Sequence, residues 1–333
     1  AGTIIGQVSA TDPDPGQSLT YSILSGNSGN VFAISPLGQL SVAASGVLDF
    51  ENLAVYQLLI QVQDNGGGYL TASAVVTVNV IDLNELPVMG TQTFSVEENS
   101  ATGTIVGQML ASDPDQGQSL SYSILSGNTG NAFSINSSNG FISVANASAL
   151  DFETRTSYEL QVQVTDNGSP VLSASATALI NVIDVNETPV INNQDFEIDS
   201  NSPTGSVIGT VIATDPDAGQ ALSFAIVSGN TSGAFAINNV TGVLTVANSQ
   251  AVNYLINPQF SLVVKVADNG TPLLTSQATI TIVVNPVNNA PQIIAQSFTI
   301  AENSPSGTIA GVVSASDPDP GQSLSFTISQ GNT

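Results

Sequence analysis

Apolar and polar residues alternate along most of the chain with a period of two. Tyr158, Leu160, Val162 and Val164 alternate with Glu159, Gln161, Gln163 and Thr165, which predicts a half-buried strand. Leu172, Ala174, Ala176, Ala178, Ile180 and Val182 repeat the pattern against Ser and Thr. Shorter apolar runs at 104–110, 120–125 and 141–144 are bounded by Gly, Asn, Asp and Pro. No stretch carries helical spacing with caps. Roughly seven short strands per ~100 residues, with turn signals between them, predict an all-β chain of seven-stranded Greek-key β-sandwiches.

The pattern is periodic on a larger scale as well. Leu-Asp-Phe-Glu stands at 48–51 and again at 150–153, 102 residues later. Asp-Asn-Gly starts at Asp64, Asp166 and Asp268, and Pro87, Pro189 and Pro291 keep the same 102-residue step. Asp-Pro-Asp starts at Asp12, Asp113, Asp215 and Asp317. Residues 306–333 match residues 1–28 at 18 of 28 positions, so the chain is expected to be a window on a longer tandem array. Boundaries at the prolines give repeats at 1–86 (first strand missing), 87–188 and 189–290. A 43-residue part of a further repeat follows at 291–333, too small to bury a core alone. Tandem sandwiches of this kind form an elongated array.

Composition narrows the chemistry. Against 26 acidic residues there are two basic ones, Arg155 and Lys265, for a formal net charge of -24. Nucleic acid and anionic membranes need Lys and Arg to displace counterions, so neither is an expected partner. The chain has no His, Cys or Trp. That excludes disulfides, thiolate zinc sites, cysteine nucleophiles and Ser-His dyads within it. No apolar run approaches the ~18 residues of a membrane helix.

The acids are clustered rather than spread. Of the 26, 22 fall at positions that recur from repeat to repeat. Asp113 and Asp115 flank a proline, as do Asp215 and Asp217, and i,i+2 carboxylates on extended chain point to one side. Asp151 and Glu153 share that relation, and Asp184 with Glu187 closes a repeat just before Pro189. Oxygen-only donors gathered in numbers suit a hard cation, and calcium rather than magnesium.

Taken in order, these motifs resemble tandem cadherin repeats over essentially the whole chain. The elements that carry the resemblance are Glu98-Asn99 on a first strand and Leu-Asp-Phe-Glu in mid-repeat. Asp-x-Asn-Glu in the linker follows, then Asp-Pro-Asp and Asp-Asn-Gly in the next repeat. The resemblance implies extracellular, cell-surface modules with calcium between successive domains. By that correspondence the junction after the second repeat would draw on Glu98, Asp151, Glu153, Asp184, Asn186 and Glu187, with Asp215, Asp217 and Asp268. Main-chain oxygens near Val185 and Thr188 would complete the shells. The junction after the first repeat would use Asp49, Glu51, Asp82, Asn84, Glu85, Asp113, Asp115 and Asp166. The family usually has Asp where this chain has Glu85 and Glu187. After the third repeat the pattern degenerates: Ser200 replaces Glu98, Asn253 and Leu255 replace Asp151 and Glu153, Pro286 replaces Asp184, and Asn289 replaces Glu187. That junction is expected to keep at most one weak ion.

Two carboxylates about 5 Å apart repel by roughly 1–3 kcal/mol at effective dielectrics between water and a protein surface. Many at once would push domains apart, and divalent ions would turn repulsion into a cross-link. The expected function is a calcium-stiffened adhesive stalk or filament on a cell surface. Its partners would be its own neighbouring repeats, other copies of the chain, or cell-surface glycans. Near-identical repeats without Cys and with few basic residues suggest a bacterial surface adhesin. A hydrolase is the rival from another class, with Asp151 and Glu153 as its best-placed pair. Catalysis, however, needs no such pair in neighbouring repeats, and no nucleophile–base set can be drawn, so no enzyme is expected. A carbohydrate-binding or accessory module of a large secreted hydrolase is the other alternative; without Trp and with six Tyr it has few aromatic platforms. The Ser-Gly-Asn loops starting at Ser25, Ser126 and Ser228 read first as turn chemistry and second as a contact surface.

Overall fold

A computed structural model describes residues 2–44, 46 and 48–331. They form two compact units, 1–185 and 186–333. Among the described residues the regular structure is strand, with five three-residue 3-10 turns between strands.

The second repeat shows how the alternation becomes a sandwich. One sheet has four strands in the order Ser121–Ser126, Ser157–Thr165, Ser173–Ile183 and Gln92–Glu97. The facing sheet has three, Phe133–Ile135, Phe141–Val144 and Ile105–Gln108. The inward positions Tyr158, Leu160, Val162, Ala178, Ile180 and Val182 are buried together with Ile142, Val144 and Leu150. Neighbouring polar positions on the same strands face solvent or sit at intermediate depth. Predicted strand 141–144 is reproduced, and the strands at 158–165 and 172–182 shift by a residue at their ends.

The predicted run at 104–110 is strand over Ile105–Gln108, and a separate short strand, Ala111–Ser112, follows it; the chain before is likewise divided, into Val88–Met89 and Gln92–Glu97. The short halves, Val88–Met89 and Ala111–Ser112, pair antiparallel with each other, while Gln92–Glu97 runs parallel to 178–183. At the break the ladder lacks a backbone partner, and a side chain supplies one. Gln92 donates Nε2 to the Leu110 carbonyl at 3.1 Å and accepts the Leu110 N–H on Oε1 at 3.1 Å. Gln194 does the same with Ile212, and Gln296 with Ser314.

The third repeat copies this architecture, with its own core around Leu244, Leu262, Ile280 and Ile282. Among the described residues of the first repeat each sheet has three strands, and Thr71–Asn79 pairs with Val55–Asp64. Each core is keyed by an edge-to-face ring pair: Phe32 with Tyr56, Phe133 with Tyr158 and Phe235 with Phe260, at 4.8–5.0 Å between centroids. In 291–331 the pairing is reduced to an isolated bridge between Gln292 and Ser316.

The Ser-Gly-Asn loops are turn chemistry. Asn128 donates to the Phe133 carbonyl at 2.7 Å and accepts its N–H at 2.9 Å, so the amide side chain imitates a strand partner. Asn27 and Asn230 repeat this with Phe32 and Phe235. The preceding Gly127 has φ +84°, and a Cβ there would stand 1.9 Å from the Glu159 carbonyl oxygen, so no other residue fits.

Candidate metal centres

The junction after the first repeat lies wholly inside the first unit. It is built where three loops meet: the turn after Leu48, the linker after Asn79, and the Asp-Pro-Asp loop of the second repeat. Glu51, Asp82, Glu85 and Asp115 each bring one carboxylate oxygen to a common point, all within 4.8 Å of one another. Asp115 is buried and the other three are exposed.

Hydrogen bonds set this group in place. Asp115 accepts the Glu85 N–H on Oδ2 at 2.9 Å, which ties the linker to the next sandwich. The Asp115 N–H in turn donates to Asp113 Oδ1 at 3.0 Å, the i,i+2 turn that the intervening proline favours. Asn84 donates from Nδ2 to Asp166 Oδ2 and to the Pro170 carbonyl, each at 2.9 Å. Gln118 donates to the Asn84 Oδ1. Asp166 receives the N–H groups of Gly168 and Leu172 on its other oxygen at 3.1 and 2.9 Å. Gly168 is required by proximity, since a Cβ there would lie 1.6 Å from the Asn84 carbonyl oxygen.

The electrostatics divide the acids into two kinds. Burial raises the Asp113 carboxyl above its usual range, and the charges of Asp115 and Asp166 add to that against the N–H from Asp115. Glu85 is raised by lost solvation first and by the Glu51 and Asp115 charges next. Asp166 is the opposite case. Burial, the largest single influence, pushes it up, but the donors from Leu172, Asn84 and Gly168 together hold it below the carboxylate range. A set of carboxylates partly held by N–H donors and partly left in mutual repulsion is one that a cation would complete. Among the described residues Asp113 Oδ2 and Gln118 Oε1 are buried without a hydrogen-bond partner, which fits oxygen donors awaiting a hard ion.

Each unit carries its own share of the second predicted set. In the first unit, Glu98 is only 3% exposed and accepts two N–H groups, from Val185 at 2.9 Å and Phe152 at 2.8 Å. Glu98, Glu153 and Asp184 bring oxygens within 4.8 Å of one another. In the second unit, Glu187 donates its N–H to Asp217 at 2.7 Å, and Asp217 donates its own to Asp215 at 3.1 Å. Asn186 donates to Asp268 at 3.0 Å and to the Pro272 carbonyl at 2.9 Å. Asp215 Oδ2 and Asp217 Oδ1 are buried without a partner among the described residues. Asp215 is raised by burial and by the Asp217 and Asp268 charges, whereas Asp268 is held low by Leu274, Asn186 and Gly270 against its burial.

Asp49 and Asp151 stand outside both groups of converging oxygens. Asp49 accepts the Asn52 N–H and Asp151 the Thr154 N–H, each at 2.8 Å, so one oxygen of each closes a local turn. Gln118 and Gln220, which donate to Asn84 and Asn186, are residues of the candidate sites that motif reading passed over. Their signal was present: a Gln follows every Asp-Pro-Asp at the same distance, at 17, 118, 220 and 322.

The third junction lies inside the second unit and is held by amides. Asn289 gives its backbone N–H to Asp319 Oδ2 and its side-chain amide to Oδ1 at 2.9 Å. These donors hold Asp319 below the usual range, the backbone N–H foremost. The Ser200 hydroxyl accepts the Tyr254 N–H at 3.1 Å, the place that Glu98 fills in the repeat before. A cavity of about 510 Å³ remains, lined by Asn253, Leu255, Pro286 and Asn288 among others. Among the described residues no three acids converge there.

Comparison with known proteins follows the same periodicity. The cadherin domain model matches residues 1–81, 92–183 and 194–285. Over 347 residues the chain is 33% identical to Protocadherin Fat 4 of Homo sapiens, covering 99% of this chain and 7% of that protein. It is 32% identical over 339 residues to the Protocadherin-like wing polarity protein stan of Drosophila melanogaster, covering 98% of this chain and 9% of that protein. The crystal structure of mouse Cadherin-23 EC22-24 is similar with a TM-score of 0.66 and 26% identity, covering 86% of this chain and 92% of that one. The chain therefore spans less than a tenth of either curated relative. These relatives are human and fly proteins, which corrects the expectation of a bacterial adhesin.

Proposed function

The chain belongs to the cadherin family, and from that premise we propose that it is an extracellular calcium-binding segment of an adhesive stalk, in which ions at the junctions stiffen consecutive repeats. The observation that carries this reading is the group of four oxygens from Glu51, Asp82, Glu85 and Asp115, drawn from two successive sandwiches to within 4.8 Å. A calcium ion would supply positive charge where these carboxylates repel one another. Asn84 and Gln118 position the linker, and Asp166 and Asp113 anchor it to the second sandwich.

Asp49, Glu51, Asp82, Asn84, Glu85, Asp113, Asp115 and Asp166 make up the proposed ligand and support set. The same residue types recur 102 positions on, and sequence equivalence extends the proposal to Asp151, Glu153, Asp184, Asn186, Glu187, Asp215, Asp217 and Asp268, which Glu98 joins as the acceptor of the Phe152 and Val185 N–H groups. We place the repeat boundaries at Pro87, Pro189 and Pro291. The role proposed for these acids is structural and adhesive. Partners are neighbouring repeats and other cell-surface chains. No helix among the described residues is long and apolar enough to cross a membrane.

The test is a calcium titration of the whole chain by calorimetry, with solution scattering in calcium and in chelator. Binding in the ~10⁻⁴–10⁻³ M range of extracellular modules is expected. Chelation should shorten the maximum dimension. Identical scattering in both conditions, or no heat of binding at millimolar calcium, would refute the proposal.

A further inference from the structure

The candidate set after the first repeat has two halves of different character. Glu51, Asp82, Glu85 and Asp115 turn one oxygen each to a common point, and Asp113 Oδ2 is buried without a partner among the described residues. Asn84 and Asp166, which the family resemblance also counts among the ligands, are arranged otherwise. Every side-chain oxygen they have already receives an N–H group.

The directions of these bonds are forced. The Pro170 carbonyl and the Asp166 carboxylate only accept, so Asn84 Nδ2 faces both, at 2.9 Å. Asn84 Oδ1 is then an acceptor, and Gln118 supplies the donor from Nε2. Asp166 Oδ2 is taken by Asn84, and Oδ1 by the N–H groups of Gly168 and Leu172. Asp166 is only 4% exposed, and Asn84 lies so close over Gly168 that a Cβ there would meet its Oδ1 at 1.6 Å. A cation seated here would face the positive ends of the N–H dipoles from Gln118, Asn84, Gly168 and Leu172.

The second unit repeats the arrangement. Asn186 gives Nδ2 to Asp268 at 3.0 Å and to the Pro272 carbonyl at 2.9 Å. Gln220 gives Nε2 to Asn186 Oδ1 and, at 3.0 Å, to Asp217 Oδ2. The third junction adds an independent observation. There Ser200, Asn253, Leu255, Pro286 and Asn289 stand in place of acids, yet Gln322 still donates to Asn288 Oδ1. A contact that persists where the acids are lost is not shaped by an ion that those acids would hold.

We propose that Gln118 and Gln220 are ion-excluding residues. On the calcium reading above, on which this rests, the carboxamide N–H of each glutamine takes the seat on Asn84 or Asn186 that a cation would otherwise occupy. Calcium is thereby confined to the acidic half of a junction, where oxygens of Asp113, Asp215 and Asp217 lack partners among the described residues. The Gln–Asn–Asp half fastens the linker to the following sandwich at any calcium concentration. Glutamine suits the task because its amide brings a donor, whereas Glu would offer acceptors alone and would admit an ion. Gln118 Oε1 and Gln220 Oε1 have no partner among the described residues, so each amide is held by its donor end.

Calcium counts on the full chain, by calorimetry and equilibrium dialysis, test this in the parent and in the double variant Gln118→Glu with Gln220→Glu. The variant keeps side-chain size and loses both donors. It should take up one more ion per substituted glutamine than the parent, with the parent's far-ultraviolet circular dichroism. A second measurement uses the parent alone. Its Gln118 and Gln220 side-chain amide signals in nuclear magnetic resonance are identified by their loss from the variant. They should exchange with solvent about tenfold more slowly than the exposed Gln116 amide, in chelator and at saturating calcium alike. A parent that takes up no calcium would defeat the calcium reading and this proposal with it. Calcium uptake with fast exchange of those amides in either condition, or with equal ion counts in parent and variant, would overturn the proposal alone.

Discussion

Asn84 donates its side-chain amide to Asp166, 82 residues further along the chain, at 2.9 Å. The bond joins the linker of one sandwich to a loop of the next, and the same amide reaches the Pro170 carbonyl. Asn84→Ala deletes both bonds and leaves a buried carboxylate short of a donor. The unfolding midpoint of the first unit in chelator is expected to fall by about 5–10 °C. Gly168→Ala should do similar damage, because its Cβ takes the space of the Asn84 oxygen. Calorimetric melts that match the parent for both variants would show the linker contact to be incidental.

The split in acidity gives the metal-free protein an unusual pH profile. Asp113 and Glu85 are raised when folded, so above about pH 4 the native state holds more protons than the unfolded chain, and stability falls as pH rises through their native values. Asp166 is lowered, so its contribution is complete above about pH 4 and is lost as pH drops through its depressed native value. In chelator the first unit should therefore melt higher near pH 5 than near pH 7, and lower again below about pH 4. Millimolar calcium should reverse the order of pH 5 and pH 7, because protons and cations compete for the same oxygens. Scanning calorimetry at the three pH values decides the matter.

At the third junction the Asn289 amide stands where the earlier linkers have Glu85 and Glu187. Asn289→Asp would face Asp319 with a second charge in place of a donor. That variant is expected to lower the midpoint of the second unit by several degrees in chelator, and calcium should recover part of the loss. The parent junction should show no such calcium dependence. A variant equally stable with and without calcium would mean that the amide pair does not hold this junction.

Gln92 replaces a missing backbone partner where the first strand changes sheet. Gln92→Ala removes two hydrogen bonds and exposes the Leu110 amide. A cost of about 1–2 kcal/mol is expected in denaturant unfolding of the first unit. Gln92→Glu keeps the acceptor and loses the donor, so it should fall between the two.

The sandwiches were legible because alternation at 158–165 and 172–182 survives almost residue for residue in the structure. The parallel pairing of Gln92–Glu97 was not, since side-chain pattern states which face is buried and not which strand lies alongside. The converging acids were legible through their repetition. The distinct behaviour of Asp49 and Asp151 was not, because a carboxylate that closes a turn three residues on and one that converges with other acids share one local spelling. Gln118 and Gln220 escaped for a related reason: a polar residue after a glycine turn looks solvated until the loop it reaches is known.

The Asn289–Asp319 pair shows how little it takes to retune such an array. On the proposed function, five letters, Asn289 together with Ser200, Asn253, Leu255 and Pro286, separate a seam that demands an ion from its surroundings from one that closes on its own. Drift in the amount of dissolved metal would then act on some seams and spare others. A long chain could thus acquire struts and elbows at chosen places while every sandwich stays the same.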